Sequence, residues 1–217
     1  MNYFELKFGL KTLYDKLEYQ ELTYQQIVRI INAAIPFKEC SITGLETISL
    51  DNNNFTVTGC YYAEDDVNNK PPIVIEILFP KNKPCYEFSE GDLSRDQWYT
   101  LSYDIITILG HEFVHLHQAR KRHFAPGKQY KSSHKNPTLK EHQEYLGLPD
   151  EVDAYAFTAA AQMALILPHR APFIKTSVYD WYKNVFGKKD PILKKLENRT
   201  MRHYNLLRKQ YHETYRK

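Results

Sequence analysis

From Ile73 to Phe79 the chain reads IVIEILF, an apolar and largely β-branched run interrupted only by Glu76. Such a run predicts a strand with at least one fully buried face. Two other stretches, Cys40–Leu50 and Phe55–Ala63, are also rich in β-branched and aromatic residues. Asp51-Asn52-Asn53-Asn54 divides them, and the polar segment Glu64–Pro72 separates the second from Ile73–Phe79. Both separators are turn-like, so the three runs predict a small twisted sheet, mostly antiparallel. Helical spacing flanks it. Residues 2–35 read as helical, with Thr23 as a cap, Ile27, Val28, Ile31, Ala34 and Ile35 on one side, and Pro36 as the stop. A long helix is expected from about Ser94 to Arg122, a short one over Thr138–Leu146, and an apolar one over Asp150–Leu167 ended by Pro168. From Ser177 the chain reads as helical again, with a break near Gly187–Pro191. The order predicts an α+β fold in a single domain, 1–217. Its parts are a helical N-terminal part (1–36), a sheet and core (37–168) and a helical C-terminal part (169–217).

At 217 residues the chain can bury a real core without staples. Its three cysteines, Cys40, Cys60 and Cys85, are odd in number and lack CxxC spacing, which argues against a disulfide framework or a structural zinc site. The start, Met1-Asn2-Tyr3-Phe4-Glu5-Leu6-Lys7, lacks a charged-then-apolar signal pattern, and no apolar run reaches membrane-spanning length. A cytoplasmic protein is expected, with no membrane partner. A net charge of +3 says little by itself.

The chemistry is concentrated in one place. His111-Glu112-Phe113-Val114-His115 reads HExxH inside a segment, Ile105–Leu116, whose only charged residue is Glu112. Residues four apart share a helix face, so His111 and His115 can aim both imidazoles at one zinc ion. Glu112, about 100° further round, can reach a water on that zinc and take its proton. A buried, unpaired carboxylate in an apolar run is costly, and a metal beside it gives Glu112 a reason to be there. Catalytic zinc needs a third protein ligand and an open position. The spacing HExxHxxGxxH fails, because Gln118 stands where the glycine belongs and Lys121 where the histidine belongs. A carboxylate from a later helix is the alternative. In Leu148–Phe157, Asp150 after Pro149 reads as an N-cap and Asp153 as its capping-box acid, which leaves Glu151 to ligate. Glu151 is the first choice, with Asp150, Asp153, His134 and His142 as alternatives.

HExxH followed by a downstream glutamate resembles the gluzincin branch of the zincin metallopeptidases. Glu151-x-x-Ala154-x-x-Phe157, with its apolar continuation to Pro168, also looks like the ImmA/IrrE-type peptidases; the likeness covers roughly residues 97–168. It implies a twisted sheet packed on the HExxH helix, zinc on His111, His115 and Glu151, and Glu112 as catalytic base. It also implies an edge strand that binds an extended peptide by backbone pairing.

The expected activity is therefore zinc-dependent hydrolysis of peptide bonds, acting on a specific protein. The developing oxyanion needs a further donor. Tyr155, one turn beyond Glu151, is the first candidate, ahead of Tyr145, His134 and His142. Asp104 lies two turns before His111, where it reads as exposed or as orienting a ligand histidine. The basic loop Phe124–Pro137, between the ligand-bearing segments, reads equally as a substrate gate or a connector. A different class of function is a zinc-binding assembly or interaction module that keeps the fold without catalysis, such as part of a phage particle; the Tyr-, Lys- and Asn-rich composition fits an AT-rich, for instance phage, genome. Lys188–Lys217 holds ten Lys/Arg against three Asp/Glu, with interleaved tyrosines. Nucleic-acid docking through that helix is less favoured than packing of Ile192, Leu193, Leu196, Leu206 and Leu207 on the core.

Overall fold

Strand β4 (Ile73–Pro80) is the most apolar segment of the chain and takes the centre of a three-stranded sheet, ordered β2-β4-β3. Strands β2 (Cys40–Thr47) and β3 (Thr56–Tyr61), which carry more polar residues, take the edges. This follows from hydrogen bonding, because an edge strand tolerates polar positions that a central one does not. The sheet is mixed rather than mostly antiparallel. β2 runs parallel to β4, in register from Cys40 opposite Ile73 to Thr47 opposite Pro80, and only β3 is antiparallel to it. A local reading of turns favours successive hairpins and misses this arrangement, in which β3 lies on the far side of β4 from β2.

The structure is a computed structural model describing residues 3–35, 37–47, 55–81, 83, 85–89, 93–125, 137–166 and 172–215. The chain forms two compact units, 1–112 and 113–217, whose boundary falls inside one long helix, α4 (Arg95–Lys121). In the first unit, the stretch expected to be helical over 2–35 forms two helices, α1 (Tyr3–Leu17) and α2 (Tyr24–Ala34). A two-residue strand, β1 (Glu21–Leu22), intervenes and pairs with β5 (Tyr86–Glu87). Thr23 caps α2 as expected, in a reciprocal capping box with Gln26. A short helix, α3 (Ala63–Val67), sits in the polar stretch before β4. Ile73, Ile75, Ile77 and Phe79 form the buried face of the sheet. The bare α-carbons of Gly44 and Gly59 let β2 approach Val28 of α2 and β3 approach Ile108 of α4. Trp98 Nε1 donates to the Leu10 carbonyl at 2.7 Å and ties α4 to α1.

Ser94 and Gln97 start α4 by bonding each other's backbone N–H groups. From Phe113 onward α4 belongs to the second unit, with α5 (Leu139–Leu146), α6 (Pro149–Ala161), α7 (Ser177–Phe186) and α8 (Pro191–Tyr215). Thr138 and Glu141 form the capping box of α5. Gly187, at φ 84°, ends α7, and Pro191 opens α8 with the Asp190 carboxylate accepting from Ile192 N, so the predicted break is present. The small residues Ala154, Ala156 and Ala159–Ala161 are fully buried in α6. On α8 the buried stripe is Leu193, Leu196, Thr200, Tyr204 and Leu207, at helical spacing. Leu206, expected in the core, is off that stripe and 61% exposed. All three cysteines are free thiols. Among the described residues no helix is long and apolar enough to cross a membrane. Most of the basic loop, residues 126–136, and with it His134, lies outside the described residues.

Candidate metal centre

Helix α4 carries His111 and His115 one turn apart, and α6 supplies Glu151. A ligating atom from each of the three lies within 4.8 Å of the others. His115 Nε2 stands 3.6 Å from Glu151 Oε1, with both side chains largely shielded from solvent. His111 and Glu112 are each 8% exposed. Two imidazoles and one carboxylate converging from rigid helices fit a divalent metal ion of the borderline type, and leave room in its coordination for a non-protein ligand. The three residues placed first from the sequence are thus brought together.

Glu151 sits where its ionisation is contested. Burial raises its carboxyl above the ordinary range; the His115 charge and a hydrogen bond from Tyr145 work against this, and the Asp150 charge adds to it. A bound cation would favour the ionised form that ligation requires.

The alternative ligands go elsewhere. Asp150 is not the N-cap of α6, because Pro149 opens the helix and Leu148 holds the cap position without a side-chain bond. Its carboxylate instead forms an ion pair with Arg122. Asp153 is no capping-box acid either; it faces His203 and Arg199 of α8. Pro149 at the first helical position removes one of the free N–H groups of the helix start, and both acids form ion pairs instead of caps. His142 lies on α5, apart from the cluster. Tyr155 packs its ring edge-on against Trp181 and Tyr182, with centroids 5.0 and 5.8 Å away. Asp104 is half-buried rather than exposed.

Two neighbours of the centre escaped the sequence reading, although each left a signal. Gln118 follows His115 by three residues, a helix-neighbour spacing, and its Oε1 is 3.1 Å from His115 Nδ1. Gly59 interrupts a strand, often a mark of close backbone approach, and it lies against Glu112. Burial, and then the Glu112 charge, push the nearby Cys60 thiol up.

Comparison with protein-family models, curated proteins and solved structures gives no match.

Proposed function

We propose that the protein is a zinc metallopeptidase of zincin type. The observation that carries this reading is the convergence of His111, His115 and Glu151 with a buried carboxylate, Glu112, between the two histidines. A site that only held structure would have no use for a base at that position. Zinc bound by the three residues would supply a Lewis acid for the scissile carbonyl and a water acidic near neutral pH.

The chain's own residues do the rest. Glu112 accepts a proton from the attacking water and returns it to the departing amine. Its burial keeps bulk water away from that transfer. Tyr145 holds the Glu151 carboxylate by a hydrogen bond. Tyr155, one helical turn beyond Glu151, is the donor we propose for the developing oxyanion. The substrate is an extended peptide. Among the described residues β3 is an edge strand, it runs antiparallel to β4, and its Gly59 adjoins Glu112, so the outer edge of the strand lies beside the proposed base. A peptide can add there as a further strand.

The test is Glu112→Gln. The variant is expected to bind one zinc per chain, as the wild type does, and to lose cleavage of a mixed peptide library by at least about 10²-fold. Wild-type turnover by the glutamine variant would overturn the mechanism.

A further inference from the structure

His115 and Gln118 are joined at one ring nitrogen, with Nδ1 3.1 Å from Oε1. A neutral imidazole nitrogen can donate or accept, so that distance alone leaves the tautomer open. The other end of the glutamine decides it. Gln118 Nε2 donates to the Asp150 carbonyl at 3.2 Å, and Gln118 also hydrogen-bonds the Asp153 carboxylate. A carbonyl accepts only, and so does a carboxylate ion-paired with an arginine as Asp153 is with Arg199, so both call for the amide's N–H groups. Turning the amide over would set its oxygen against two acceptors. The oxygen therefore faces His115, and Nδ1 carries the hydrogen donated to it. His115 Nε2 is left with its lone pair, on the side where Glu151 Oε1 stands 3.6 Å away.

Asp153 is itself held in place. His203 Nε2 lies 3.3 Å and Arg199 Nη1 3.8 Å from its Oδ1. Arg199 also donates to the Pro149 carbonyl at the first residue of α6, and Phe157 packs edge-on against His203. A line of contacts therefore runs from α8 through Asp153 and Gln118 to His115.

We propose that Gln118 is a positioning residue that fixes His115 as its Nδ1–H tautomer and so presents the Nε2 lone pair before a metal arrives, with Asp153, Arg199 and His203 holding the amide in register. Its purpose rests on the metal centre proposed above; the tautomer itself does not. Ligand histidines are commonly oriented by what their second nitrogen bonds, and losing that partner costs about 10–100-fold in metal affinity. Here the partner is an amide, and its direction is set by two further acceptors.

The experiment uses the full chain, labelled with ¹⁵N-histidine and freed of metal, alongside zinc titration in competition with a chromophoric chelator. Wild-type His115 is expected to show a single Nδ1–H tautomer. Gln118→Met, similar in volume but with no strong acceptor, is expected to show mixed tautomers and a fall in zinc affinity of about 10–100-fold. Gln118→Glu keeps an acceptor toward His115 but sets its second oxygen against the Asp150 carbonyl, so it is expected to keep the Nδ1–H form while losing the Asp150 bond. A residue that merely packs would leave the His115 tautomer unchanged in the methionine variant. Asp153→Leu, which leaves Gln118 in place, is expected to shift the tautomer in the same direction as methionine by a smaller amount. A pure Nδ1–H signal in both Gln118→Met and Asp153→Leu would overturn the proposal. If wild type binds no zinc, the metal centre fails, and the tautomer measurement alone then decides the role of Gln118.

Discussion

Gly59 and Ile108 are so close that a side chain at residue 59 has no room, and Glu112 lies just beyond in van der Waals contact. A β-carbon there would lie 3.4 Å from Glu112 Cγ, 3.6 Å from Glu112 Oε1 and only 2.3 Å from Ile108 Cγ2. Ile108 is β-branched and sits on a helix, so its methyl has little freedom to move aside. Gly59→Ala is therefore expected to destabilise the fold by about 1–3 kcal/mol, the usual range for overpacking. Ile108→Ala removes the nearest atom. In a double-mutant cycle it should recover about 1 kcal/mol or more of the Gly59→Ala penalty. Chemical denaturation of the four proteins measures this directly, and additive penalties would show that β3 does not lie against α4 as described.

The second prediction concerns metal removal. Glu151 is ionised at a cost when the site lacks a cation, because burial is the largest influence on it. Zinc at 100 times its dissociation constant should stabilise the wild type by about 2.7 kcal/mol, which for a chain of this length is about 5–10 °C in Tm. A chelator should abolish that increment. Glu151→Gln should show none, and without metal it should be at least as stable as the wild type at neutral pH, since its amide carries no buried charge. Calorimetry with and without zinc measures both effects. A wild-type Tm indifferent to zinc would exclude the site.

Tyr145 and Tyr155 are expected to separate binding from catalysis. The Tyr145 hydroxyl bonds the Glu151 carboxylate, and a hydrogen bond to a charged group is worth about 1.5–3 kcal/mol. Tyr145→Phe should therefore weaken zinc binding by about tenfold or more. Tyr155→Phe should leave zinc affinity intact and lower kcat by about 10²-fold, the effect of losing one oxyanion donor. An unchanged kcat would remove Tyr155 from the mechanism and leave its ring as packing against Trp181 and Tyr182.

The candidate metal site of this chain is more legible in its sequence than its topology. HEFVH and Glu151 could be picked out because helical spacing and ligand type are local properties, and the structure gathers the three metal-ligating candidates within 4.8 Å. The same locality made the cap at Thr23 readable. Strand order was not, because the pairing of β2 with β4 is decided by which strand is apolar enough to be central. The roles of Asp150 and Asp153 were misread for a related reason. Their position near a helix start suggests caps, while their partners, Arg122, Arg199 and His203, come from elsewhere in the chain. Leu206 was assigned to the core by its type alone; the buried stripe of α8 shows that its phase excludes it.

The fourth prediction is a pH dependence. Asp104, on α4, is half-buried, and desolvation raises its carboxyl from the ordinary 3.8. The folded protein therefore keeps this proton to a higher pH than the unfolded chain does. Between the two values the folded state binds more protons, so stability falls as pH rises. The contribution is fully present below 3.8 and is lost as pH climbs through the raised value. Asp104→Asn has no such titration. Its stability relative to wild type should improve as pH rises above 3.8 and level off once Asp104 is fully ionised in the folded protein. Urea midpoints of the two proteins, taken from pH 3 to pH 8, give the curve. A difference that stays flat across that range would mean that the Asp104 carboxyl is as well solvated folded as unfolded.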